Sequence, residues 1–218
     1  MIDRSTKEEL PTDARATPVS SGEWSDIHAS GPMPFWEYLR DDVVAHVPPG
    51  QRNRSASSWG WMAAKIALTS PGFKVTLLYR VNNQMVNRAG LAGKVAAGII
   101  ARATHVIFHS ALAPTARLHG GLILPHPQGI VVGSGVVVGP RAWIFQNVTM
   151  GGTEGKSGEP RVGADCRIHA GAVIGGPVKL GDEVVVSPNS LVQRSIPRCS
   201  LAVGVPANVF PKFGKPKA

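Results

Sequence analysis

From Val132 onward, nearly every sixth residue is a branched aliphatic or a methionine: Val132, Val138, Ile144 and Met150, then Val162, Ile168, Ile174, Leu180, Val186 and Val192. A small or apolar residue follows four places later in most units, as at Val136, Ala142, Val148, Cys166, Ala172, Val178, Val184, Ser190 and Ile196. Glycine often stands directly after the aliphatic residue, as in Val138-Gly139, Val162-Gly163 and Leu180-Gly181. A period of six matches neither a helix at 3.6 nor a long strand at 2.0. It matches short strands joined by tight turns, three to a coil, with one side chain per strand pointing inward. That pattern predicts a parallel β-helix. The phase survives the gap from Met150 to Val162, which is two sixes.

The rhythm also explains the composition. Twenty-five glycines and 18 prolines are many for 218 residues, but a coil that turns every six residues needs them. Formal charge is +9, from 23 Lys and Arg against 14 Asp and Glu. Residues 1–34 hold three basic and six acidic side chains, so the remainder carries 20 − 8 = +12. Such a basic body suits phosphorylated small molecules or other polyanions. Nucleic acid is not expected as a partner, because the basic residues are scattered and not interleaved with aromatics. Cys166 falls on an inward position and reads as a small buried hydrophobe, and Cys166 and Cys199 make no metal or redox spacing.

Residues 1–34 are rich in Ser, Thr, Pro and charge and read as a flexible tail. A helical domain is expected over 35–108, with helices at Phe35–His46, Trp59–Thr69, Phe73–Arg88 and Leu91–Thr104. The β-helix is expected over 109–210 with about five coils, followed by a basic tail at 211–218. The most apolar stretch, Leu91–Leu112, is interrupted by Lys94, Arg102, His105 and His109, so it is expected to be a buried helix and not a membrane span. No apolar signal segment follows Met1, which predicts a cytoplasmic location.

Two breaks interrupt the rhythm, and insertions into a solenoid loop out where its chemistry is carried. Between Leu118 and Val132 the phase slips by two, around Leu124-Pro125-His126-Pro127-Gln128-Gly129. Between Gly151 and Pro160 the glycine-rich run GGTEGKSGEP has no inward aliphatic. His126, held between two prolines, is a candidate general base near neutral pH. His119 and His169 occupy positions expected to face outward at coil corners. His105 and His109 sit four apart, at a metal-ligand spacing, but their spacing to His126 does not fit a zinc site, and no metal is expected.

The stretch from about Ser70 to Phe210 resembles the serine acetyltransferase family of left-handed β-helix acyltransferases. The resemblance lies in Pro71-Gly72-Phe73, Tyr79-Arg80, His126 with Gly129-Ile130-Val131-Val132-Gly133, Asn147 to Thr153, Gly155-Lys156-Ser157-Gly158, and Ala202 to Ala207. It implies a left-handed coil and acetyl-CoA as co-substrate. It also implies His126 as the catalytic base and a homotrimer, or a hexamer of two trimers, with CoA in a groove between protomers. Gly152, Thr153, Ala170 and Gly204 match positions lining that groove. Lys179, Arg194, Arg198, Lys212 and Lys215 are candidates for its phosphates.

Three departures bear on the acceptor. Where the family has an aspartate that pairs with the histidine, this chain has Ala111. The acidic residue expected directly before the histidine is Pro125. The Arg-His pair that ends the family's glycine-rich loop is missing from the shorter Gly158-Glu159-Pro160. The reading is therefore an acetyl-CoA-dependent O-acetyltransferase with an altered amino-acid clamp, acting on a saccharide hydroxyl or a serine-like metabolite. The alternatives are a true L-serine O-acetyltransferase of cysteine biosynthesis and a non-catalytic trimeric scaffold. The chain ends Lys217-Ala218 without the family's docking isoleucine, so no cysteine synthase complex is expected.

Overall fold

The computed structural model describes residues 34–47, 57–88 and 90–211. The tail at 1–33 and the residues after Pro211, including Lys212 and Lys215, lie outside the described residues.

Four helices come first: α1 (Phe35–His46), α2 (Ser57–Thr69), α3 (Pro71–Arg88) and α4 (Leu91–Phe108). The Ser70 hydroxyl accepts a hydrogen bond from Phe73 N at 3.2 Å, so Ser70 caps α3, and Pro71 takes the first helical position, where a missing N–H costs nothing. The other three helices pack against α3. Val43, Val47, Met62 and Phe73 form a small core of their own among α1, α2 and α3.

The rest is a left-handed parallel β-helix with three faces. The first sheet is ordered β1 (Ala111–Leu112), β3 (Val131–Val132), β6 (Thr149–Gly151), β9 (Val173–Gly175) and β12 (Leu191–Val192). The second holds β2 (Arg117–Leu118), β4 (Val137–Val138), β7 (Arg161–Val162) and β10 (Lys179–Leu180). The third holds β5 (Trp143–Ile144), β8 (Arg167–Ile168), β11 (Val185–Val186) and β13 (Ser200–Val203), closed by the antiparallel strand β14 (Asn208–Pro211). Every inward residue of the six-residue series is buried. Glycine follows the inward residue where coils come closest: a Cβ on Gly139 would lie 2.6 Å from the carbonyl carbon of Gly163 in the next coil.

The pairing offsets locate both breaks. Val162 pairs with Leu180, an offset of 18, which is one regular coil. Leu112 pairs with Val132 and Leu118 with Val138, offsets of 20, so two extra residues sit in the corner before β3. Val138 pairs with Val162 and Met150 with Ile174, offsets of 24, so six extra residues sit in the corner after β6.

The helical domain is fixed to the coil by buried polar contacts. Tyr79 donates through its hydroxyl to Ala116 O at 2.7 Å and accepts from Leu118 N. The Arg80 guanidinium donates to Leu118 O and to His119 O, the latter at 2.8 Å, and is paired with Asp42 of α1. Asp42 Oδ1 in turn accepts from Gly121 N and Leu122 N at 2.9 and 3.0 Å.

Two expectations are corrected. First, α4 is not a buried helix. Only Ala97 and Thr104 are buried, and Leu91, Val95, Ile99, Val106 and Ile107 are exposed. Its other side lies on α3, which covers a single stripe of a largely apolar helix. By length and composition α4 could cross a membrane, and it carries Lys94 and Arg102. Second, His119 does not face solvent. It is 7% exposed and packs edge-on to Tyr38 of α1, because the helical domain covers that corner of the first coil.

Candidate functional site

The two-residue insertion before β3 forms the turn that presents His126. Ser110 anchors it from below: its hydroxyl donates to Pro127 O at 2.8 Å and accepts from Ile130 N at 3.2 Å. Gly129 N donates to His109 O, and Asn147 N donates to Gln128 O, so the turn is tied to the end of α4 and to the next coil. Gly129 sits at φ +66°, and a Cβ there would run into Asn147 Oδ1. Pro127 is buried while the His126 side chain is exposed. The backbone is held and the imidazole is left exposed.

No carboxylate stands near it in sequence. Between Asp42 and Glu154 there is no Asp or Glu at all, so α2, α3, α4 and the first coil contribute none. Ala111 lies on β1 directly beside Val131 of β3, and both side chains point outward.

The six-residue insertion after β6 makes the second wall. From Gly152 to Gly158 it is exposed except for the half-buried Thr153. Lys156 N donates to Thr153 O, and Gly176 N to Gly151 O. Thr153 Oγ1 lies against Gly175, where a Cβ would be 3.0 Å away. Glu159 folds back beneath the loop: a Cβ on Gly152 would lie 2.8 Å from its Oε1, and one on Gly135 would lie 3.1 Å from its Cγ. Its Oε2 is buried and has no hydrogen-bond partner among the described residues.

The candidate residues border one face. His126 and Ala170 lie in corners leading into the first sheet, before β3 and β9. Gly152 and Thr153 lie in the corner that leaves that sheet after β6. Gly204, at φ +101°, closes its lower end by accepting from Leu191 N and donating to Ser190 Oγ. At about 4.8 Å per strand, four steps separate the His126 level from Gly204, or roughly 19 Å. Only an elongated ligand touches both. The outward side chains of this face, Ala111, Val131, Thr149, Val173 and Leu191, are all uncharged.

The adjoining second sheet is different. Arg117, Val137, Arg161 and Lys179 are aligned strand to strand on its outer side, and the three basic ones are exposed. Lys179 was expected as a phosphate candidate; Arg117 and Arg161 were missed. The signal was present, since both stand one place before an inward residue of the coil. Arg198 is exposed, and Arg194 donates to Ala207 O at 3.1 Å, so it braces the last turn. His105 and His109 are exposed, and His109 is the left-handed C-cap of α4. Among the described residues no three His, Cys, Asp or Glu side chains converge to hold a metal. His169 is half-buried and stacked on Phe145 at 4.9 Å; burial, with Arg167 nearby, lowers its pKa from the usual value.

Residues 159–194 match the family described as bacterial transferase hexapeptide (six repeats). The serine acetyltransferase of Synechococcus elongatus is 30% identical over 153 residues, covering 69% of this chain and 61% of the relative. That of Salmonella typhimurium is 33% identical over 148 residues, covering 67% and 53%. A solved serine acetyltransferase in complex with CoA superposes with a TM-score of 0.67 at 28% identity, over 81% of this chain and 69% of that one. The chain is serine acetyltransferase-like. It spans about half to three-fifths of the length of these two curated relatives.

Proposed function

We propose that the protein is an acetyl-CoA-dependent O-acetyltransferase with His126 as its general base. The observation that carries the reading is the placement of the open His126 turn and the GGT–GKSG loop around one uncharged sheet face, in a fold like that of a serine acetyltransferase solved with CoA. An extended CoA fits across this face, from Thr153 at one edge to Gly204 at the lower end of the other. Gly152, Thr153, Ala170 and Gly204 let its pantetheine arm approach the backbone. Arg117, Arg161 and Lys179 supply positive charge for its phosphates. An open, uncharged sheet face is suited to a second copy, and the reading includes a homotrimer with the donor in the groove between protomers.

In this reading the His126 imidazole takes the proton of the acceptor hydroxyl as that oxygen attacks the thioester carbonyl. A tetrahedral oxyanion forms and is met by backbone N–H groups. Its collapse breaks the carbon–sulfur bond, and the imidazolium returns the proton to the CoA thiolate. The products are an O-acetyl ester and free CoA. We place the reaction in the cytoplasm.

On the acceptor side, a free zwitterionic amino acid would find neither the acidic residue nor the Arg-His pair, since Pro125 and Gly158-Glu159-Pro160 stand there. A saccharide hydroxyl or an uncharged serine-like metabolite suits these residues better. The names of the relatives favour a second reading, a true L-serine O-acetyltransferase. Thiol release from acetyl-CoA, assayed with L-serine and with a panel of neutral hydroxyl compounds, separates the two. We expect His126→Ala to abolish transfer at unchanged oligomeric mass; retained turnover would remove His126 from the base role. Rapid turnover of L-serine would establish the second reading.

A further inference from the structure

A cleft of about 230 Å³ opens where α3 and α4 cross β1 and β3. It shares a wall with the catalytic turn, because Ser110 lines the cleft and also holds the backbone on either side of Gly129. Ala111, standing where the resemblance implies a carboxylate, also lines it. Most of the surface is aliphatic, from residues such as Val75, Leu78 and Val131, and no charged side chain reaches it.

Four polar side chains with hydrogen-bonding groups line the cleft, and three are already engaged. The Tyr79 hydroxyl bonds Ala116 O and Leu118 N. Thr104 Oγ1 donates to Ile100 O at 2.8 Å. Ser110 Oγ is used by Pro127 and Ile130. The fourth, Asn82, is 3% exposed, and its Oδ1 has no hydrogen-bond partner among the described residues. A buried carbonyl oxygen left in that state is unfavourable, and it becomes favourable when a ligand N–H or O–H reaches it.

We infer that this cleft is the acceptor subsite, and that the acceptor is a neutral hydroxyl compound whose apolar N-acyl group enters it with the amide N–H donated to Asn82 Oδ1. The inference rests on the acetyltransferase reading above and names the substrate class within it. Three observations select this occupant. A zwitterion would have to bury two charges among aliphatic side chains without partners. The acyl chain of a longer acyl-CoA would fit the aliphatic walls, but it has no donor for Asn82. The volume, compared with the roughly 150 Å³ cavity that holds benzene, accommodates a group of about nine non-hydrogen atoms. Ala111 is then part of the pocket: a carboxylate there would put a charge against the acyl group.

The probe is N-(2-hydroxyethyl)butanamide, compared with its N-methyl analogue, which lacks the N–H, and with L-serine. We expect acetyl transfer to the probe with a KM about tenfold below that of the N-methyl analogue, the difference set by one hydrogen bond to a buried group. Asn82→Leu keeps the volume and removes the acceptor oxygen; it should raise the KM of the N–H probe about tenfold and leave that of the N-methyl analogue and of acetyl-CoA unchanged. Ala101→Leu, which fills the cleft from α4, is the second variant and should weaken both amides together. Equal KM values for the two amides, or use of butyryl-CoA in preference to acetyl-CoA, would overturn the assignment. Calorimetry with the probe and no CoA keeps the two readings apart. Probe binding that Asn82→Leu weakens, in a protein that does not bind CoA, would sink the acetyltransferase reading and leave the pocket standing. CoA binding without probe binding would do the reverse.

Discussion

Arg80 on α3 and Asp42 on α1 form a buried ion pair whose remaining hydrogen-bonding atoms all serve the backbone of the first coil, from Leu118 to Leu122. The pair ties the helical lead-in to the β-helix, beside the Tyr79 hydroxyl and the Asn83 amide. Burial raises the pKa of the Asp42 carboxyl, and the Arg80 guanidinium acts against that shift. Removing one member of a buried pair leaves the other charge uncompensated, at about 3–5 kcal/mol. We therefore expect Asp42→Ala and Arg80→Met each to lower stability by about that amount. The double variant should lose clearly less than their sum. Urea unfolding of the four proteins checks this; additive losses would mean that the two groups act separately.

Gly129 carries the turn that presents His126. Its φ of +66° is unfavourable for any residue with a Cβ, and Asn147 Oδ1 occupies the place where that Cβ would go. Gly129→Ala is expected to cost about 1–3 kcal/mol and to reduce kcat well beyond what the stability loss explains, because the histidine is displaced. Gly155, also at positive φ but with open space around it, is the control: Gly155→Ala meets no neighbour and should leave His126 chemistry intact. Equal effects at both positions would show that strain alone, without the contact, decides the outcome.

Much of this fold could be read from one residue in six. Val132, Ile144, Ile174 and Leu180 announced the coil because a β-helix repeats its burial at fixed spacing, so sequence phase and core coincide. The two phase breaks located the two insertions for the same reason. What the period could not show was anything settled by the helices. His119 holds a corner position that would face water in an isolated coil, and α1 covers it. The exposed stripe of α4 was unreadable because an apolar sequence does not say how many of its sides are covered. Asn82 gave no signal either, since a polar residue within a helix normally reaches solvent, and only the crossing of α3 with α4 and β1 buries it.

Cys166 offers a test of the core. It is fully buried, with its thiol near Gly181 O, and burial pushes the thiol pKa up to about 12. The thiolate is the reactive form, so native protein at pH 8 should leave Cys166 unmodified by iodoacetamide. Modification should appear only at the rate of global unfolding, because opening one coil exposes the next. Rapid labelling of Cys166 in the Cys199→Ser variant under native conditions would mean that the coil opens locally.

His169 gives the pH dependence its sign. Its imidazole lies on Phe145 with Arg167 nearby, and burial first, then that positive charge, lowers its pKa in the folded state. The unfolded chain, with an ordinary histidine value near 6.5, therefore binds the proton more readily than the native one. The resulting contribution is fully present above the unfolded value and is lost as pH falls from there to the lower folded value, below which it no longer changes. Because the ring is half-exposed the effect should be small, but it can be isolated by substitution. Between pH 7.5 and 5.0 the urea midpoint of the wild type should fall more than that of His169→Gln. Parallel curves for wild type and His169→Gln would show that the stacked ring is as free to take a proton in the folded protein as in the unfolded chain.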